Sequence, residues 1–217
     1  MLPPLTDFVA LLGIDLVLCA GLLRLLNWRR DFSQASAWSK WVGAACFVIL
    51  WMPVGAAQLP LLAYVRGISS DLSITLVALA ALSLGRRLLG LGALEKRERM
   101  ALNGVLAATA LFLYPLALGW GDWDAYRLGW GAPGLWLALL ALSVFCWVRG
   151  LRLLPMVVAL ALLAWTAGLL ESTNLWDYLL DPWLATAALF QSLKFGVRLL
   201  LTRGRGAGAA LVRSGPG

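Results

Sequence analysis

The chain has 217 residues, 61% hydrophobic and 13% charged, with a mean hydropathy of +0.82. Soluble domains carry roughly 45–50% apolar and about 25% charged residues, so this composition excludes a water-covered globule and points to an integral membrane protein. The net charge of +7 does not indicate nucleic acid, because the basic residues are spread among loops, and the lack of histidine removes the commonest general base and metal ligand.

Crossing the hydrocarbon takes about 20 mostly apolar residues. Seven segments approach that length, at 5–23, 41–63, 72–88, 100–119, 132–148, 153–170 and 182–201. The expected fold is therefore all-α: a polytopic transmembrane helix bundle of seven helices over residues 1–202. A basic, Gly/Arg-rich cytoplasmic tail follows over 203–217, and its composition predicts disorder. The first segment reads as a retained helix, since it begins with Asp7 in place of a basic stretch and has no A-x-A site. Cys19, Cys46 and Cys146 lie in separate apolar segments and are expected to be reduced and structural.

Loop charge sets the orientation. Of the 18 basic residues, only Arg66 and Arg127 fall outside the loops and tail that alternate onto one side. Asp7, Asp71, Asp122, Asp124, Glu171, Asp177 and Asp181 fall on the opposite side. The positive-inside rule then predicts an outer N-terminus and a cytoplasmic C-terminus in a bacterial inner membrane. Tryptophans cluster near both sets of boundaries, as interfacial indoles do.

A few residues break the membrane pattern. Asp15 lies mid-way along the first segment, where a carboxylate costs roughly 2.5–3.5 kcal/mol on insertion scales. It is either a site for a proton, cation or substrate amine, or a neutral acid hydrogen-bonded between helices. Pro53, Gln58 and Pro60 predict a kinked second helix whose outer half is polar, and Gln58 joins Asp15 as a candidate intramembrane polar site. Arg66 stands against the charge bias. It is expected to pair with Asp71 or Glu171, or to hold a lipid phosphate, while Asp71 caps the third helix. The stretch from Glu171 to Trp183, with Trp176 and Asp177, reads as a short interfacial helix with its indoles in the aromatic belt. It is also a candidate outer headgroup or partner surface.

The string Arg66-Gly67-Ile68-Ser69-Ser70-Asp71-Leu72-Ser73, entering a helix, resembles a loop in the membrane bundle of lipoteichoic-acid-synthase-like phosphoglycerol and phosphoethanolamine transferases. That family's extracytoplasmic catalytic domain has no counterpart in these residues. The resemblance therefore implies a stand-alone bundle that holds lipid or a partner without catalysis. Microbial rhodopsins also have seven helices and a retinal-binding lysine in the last, but Lys194 lies near the basic end, close to Arg198, and retinal is not expected. The sequence thus predicts a non-catalytic accessory or scaffold subunit of an envelope-lipid or polysaccharide pathway. Membrane lipids and another membrane protein are its expected partners, and no cofactor or metal is expected. The alternative is a small transporter or permease with Asp15 lining the path.

Overall fold

The computed structural model describes residues 4–27, 37–90 and 92–213. It is mostly helical. The elements are α1 (Leu5–Leu26), α2 (Ala37–Leu50), β1 (Pro53–Val54), β2 (Leu59–Pro60), α3 (Leu61–Ser69) and α4 (Ile74–Leu89), then α5 (Lys96–Ala117), α6 (Pro133–Val148), α7 (Leu153–Thr166), α8 (Leu175–Leu179) and α9 (Pro182–Arg213). Two of these, α1 and α5, each 22 residues, are long and apolar enough to cross a membrane. Helix α9 continues past residue 202 to Arg213. Trp28, Arg29, Arg30, Asp31 and residues 214–217 lie outside the described residues.

Local chemistry sets the ends. Ser73 caps α4 by accepting from Leu76 N, and Gly90 closes it in the left-handed region. Pro133 opens α6 at a position where its missing N–H costs nothing. Glycines at positive φ (Gly119, Gly121 and Gly131) shape the turns on either side of the short 3-10 helix Ala125–Gly129.

The second apolar segment departs from the expectation of one kinked helix. Helix α2 ends at Leu50, and Pro53 pairs with Pro60, and Val54 with Leu59, in a minimal antiparallel hairpin. Gly55 and Gln58 both take positive φ in its turn, at 71° and 50°. Two prolines, neither able to donate a backbone hydrogen bond, flank a Gly-containing stretch, so a helix cannot continue through it. The nine-residue α3 follows directly.

Two cores result. Ile14, Leu23, Leu62, Leu72 and Leu84 centre the first, where α1 packs on α2, α3 and α4. The second gathers α5 to α9 around Leu106, Val157, Ala161, Leu175 and Tyr178. Helix α4 joins the two by packing on α7 and α8. Small residues permit the close approaches: a Cβ on Gly13 would meet Val77 Cγ2 at 2.9 Å, and one on Gly43 would meet Leu23 Cδ2 at 3.1 Å.

A single carboxylate pins α4 to α9. Asp181 Oδ2 accepts from Ser73 N at 2.9 Å and Ser73 Oγ at 2.6 Å, while Oδ1 accepts from Leu184 N at 2.8 Å. Asp181 is 4% exposed, so removing it leaves buried donors without a partner. Asp181→Ala is expected to cost about 3 kcal/mol and Ser73→Ala about 1 kcal/mol. Unfolding followed by tryptophan fluorescence in detergent checks this ranking, and equal effects would contradict the shared-cap role of Asp181.

Candidate binding site at the Arg66 hub

Helix α3 ends by turning back on itself. Its cap, Ser70, adopts φ 60° and ψ −170°, a region nearly reserved for glycine, and this reversal returns Asp71 to the side of Arg66. Arg66 Nε donates to Asp71 Oδ1 at 2.7 Å, Nη1 to Asp7 Oδ1 at 2.6 Å and Nη2 to Glu171 Oε1 at 2.9 Å. One guanidinium thereby joins α1, the α3–α4 link and the α7–α8 link. The bond to Asp71 does most to hold the Arg66 pKa above its ordinary value. Both carboxylates expected as partners are bound, and Asp7 is added. Asp71 does not cap α4, because its carboxylate is turned to Arg66 and Ser73 does the capping. Every nitrogen of the guanidinium donates to a carboxylate, which offsets its charge and leaves one N–H on each terminal nitrogen.

A second polar cluster faces the hub. Asn174 caps α8 by accepting from Trp176 N at 2.9 Å, and its amide donates to Tyr126 O at 3.0 Å. Trp176 Nε1 donates to Ala125 O at 3.1 Å. Residue 129 must be glycine, since a Cβ there would collide with the Asn174 and Trp176 side chains. The expected short helix exists, but Trp176 and Tyr178 are buried rather than placed in an aromatic belt. The reason is polar: each finds a carbonyl partner inside the fold, Ala125 O for the indole and Leu170 O and Ser172 O for the phenol. Tyr126 Oη donates to Asp177, 2.9 and 2.8 Å from its two oxygens, and Ser172 Oγ donates to the same carboxylate.

Between the clusters lies a cavity of about 1040 Å³. Its walls bring together Asp7, Arg66, Asp71, Glu171, Asp177 and Asp181, with the aromatic side chains of Trp51, Tyr114, Tyr126 and Trp176. Five carboxylates thus face one guanidinium, and the cavity carries a negative field. Such a site suits an ammonium group or a hydroxyl-rich group, with aromatic surface to stack on either.

Asp15 is fully buried behind this wall. Its Oδ2 accepts from Trp51 Nε1 at 2.7 Å and its Oδ1 from Cys19 Sγ at 3.4 Å. Trp51 lines the cavity and Asp15 does not, so the carboxylate positions the indole from behind. Gln58 is not brought to Asp15: it is exposed in the hairpin turn, donates to Gly55 O at 3.0 Å and is outside the cavity wall. Sequence reasoning missed Trp51 and Tyr126 as site residues. Trp51 carried a usable signal, since it stands two residues before the helix-breaking Pro53. No group of three or more potential metal ligands occurs among the described residues. Family models, curated proteins and solved structures give no match to the chain.

Burial, and then the bond to Asp177, raise the Tyr126 phenol above the ordinary tyrosine value. The neutral phenol is therefore the form the fold favours. Its contribution to stability is full below the unfolded tyrosine value and is lost as pH rises through the raised folded one. Tyrosinate absorbance of the native protein minus that of Tyr126→Phe should titrate above free tyrosine, and Asp177→Asn should move that midpoint down. A midpoint at the free value in the native protein would remove the bond.

Proposed function

We propose that the chain is a seven-span protein of the bacterial inner membrane, with its N-terminus outside. Its role would be to hold a lipid headgroup in the outer cavity without transforming it, as an accessory or scaffold subunit of an envelope-lipid or polysaccharide pathway. The observation that carries the reading is the cavity itself: large, acidic, lined by aromatics and bordered by the Arg66 hub.

Several features support the membrane arrangement. The beginnings of α1 and α9, the link that leads into α4 and the ends of α2 and α5 all border the same cavity, as alternating spans would. The acids gather at that end. At the other, Lys40 Nζ of α2 donates to Leu88 O of α4 at 3.1 Å, and Glu98 of α5 accepts from the Arg152 and Leu153 amides, among the basic helix ends. That separation follows the positive-inside bias. The burial of Asp15 behind Trp51 favours the holding role over a permease, which would bring its mid-span carboxylate into the path. The likeness of the Arg66–Ser73 string to the lipid-handling transferase bundle agrees in direction.

The headgroup follows from charge. With its one arginine already tied to three carboxylates, the cavity would repel an isolated phosphate and attract an ammonium-bearing or polyhydroxylated group. Mass spectrometry of the protein purified from native membranes in mild detergent should find one such lipid retained above its bulk abundance. Glu171→Gln and Asp177→Asn should each lower that retention by about fivefold, the equivalent of 1 kcal/mol. A lipid profile matching the bulk membrane in all forms would overturn the reading.

Topology is tested separately. With the three native cysteines changed to alanine, Asp122→Cys should react with an impermeant maleimide added to spheroplasts. Arg97→Cys should react only after lysis. The reverse pattern would contradict the orientation.

A further inference from the structure

Helices α5 and α6 each pack on α7, and a second, smaller opening of about 160 Å³ lies along that junction. Its floor is apolar and buried, with Leu106, Leu139 and Val157 all under 10% exposed. Water is a poor occupant of such a space, which offers it few hydrogen-bond partners, and apolar cavities bind apolar guests instead. An unfilled groove would forfeit dispersion contacts along its walls.

The groove borders the site described above. Trp176 and Leu180 belong to the walls of both the acidic cavity and the apolar groove. The bond from Trp176 Nε1 to Ala125 O fixes the indole as the partition between a polar chamber and a hydrocarbon one. Two chambers of opposite character meeting at one residue match the two ends of an amphiphile. Resting on the headgroup reading above, we infer that the α5–α6–α7 groove takes part of an acyl chain of the same lipid, so that cavity and groove act as one site meeting at Trp176 and Leu180. The ligand is then a membrane lipid with an ammonium-bearing or hydroxyl-rich headgroup, and a free solute carrying the same group binds weakly because it leaves the groove empty.

The test uses the full chain in nanodiscs of phosphatidylethanolamine and phosphatidylglycerol. A trace of phosphatidylethanolamine carries a photoreactive diazirine midway along one acyl chain. After irradiation, peptide mapping should place adducts on Thr109, Leu139 and Leu142 about fivefold above those on the outward-facing Leu137, Leu140 and Val144, a preference of 1 kcal/mol. Val105→Phe and Ala138→Phe fill the groove from different helices, so either one suffices if the other fails to fold. Each should abolish the preference and lower lipid retention. Uniform labelling around the bundle would overturn the inference. So would retention that falls with Glu171→Gln or Asp177→Asn but ignores groove filling, and that result would leave the headgroup reading standing. Retention indifferent to all four variants would overturn both.

Discussion

The structure turns on one guanidinium with three carboxylate partners. Arg66 reaches Asp7 at the start of α1, Asp71 before α4 and Glu171 after α7, and these come from segments far apart in the chain. A half-buried arginine in this position would be costly alone, and its charge is balanced only because three separate backbone paths converge on it. The convergence has two consequences. It ties the α1–α4 core to the α5–α9 core at one end, adding to the link that α4 makes through α7 and α8. It also leaves the surrounding cavity short of positive charge, which is the ground for the proposed preference for cationic or hydroxyl-rich guests.

Asp15 has a complementary place. A carboxylate in mid-helix suggests a relay or a transport path, yet here it holds the Trp51 indole at the point where α2 gives way to the hairpin. The Asp15–Trp51 bond shapes the floor of the chamber, as Asp181 shapes its rim by capping α4 and α9 together. Both acids position walls; the other carboxylates that line the chamber are Asp7, Asp71, Glu171 and Asp177.

Much of this was legible in the sequence, and the failures have physical causes. Hydrophobic length located every long helix, because an apolar run must be buried wherever the rest of the chain goes, and that requirement needs no tertiary knowledge. The charge anomaly of Arg66 marked it as needing partners, and two of them, Asp71 and Glu171, were readable because outer basic residues are so scarce. Asp7 was not, since its pairing with Arg66 depends on α3 packing against α1, a tertiary contact that follows from the hairpin which separates α3 from α2. The paired prolines flanking Gly55 and Gln58 were visible, but whether Pro53 kinks a helix or ends it depends on the hairpin that Pro60 completes. The burial of Trp176 was hidden for a similar reason: an indole between acids looks interfacial until a carbonyl as distant as Ala125 O is supplied.

The central claim is that the chamber between the Arg66 hub and Asp177 is a ligand site and more than a fold consequence. An experimental map of the full chain in nanodiscs made from its own membrane lipids tests it most directly. A ligand site should show density in the chamber, with a polar end between Glu171 and Asp177 and the Arg66 ion pairs intact. A chamber collapsed by closure of α3 onto α8, or one holding only water beside an Arg66 freed from its carboxylates, would contradict the claim.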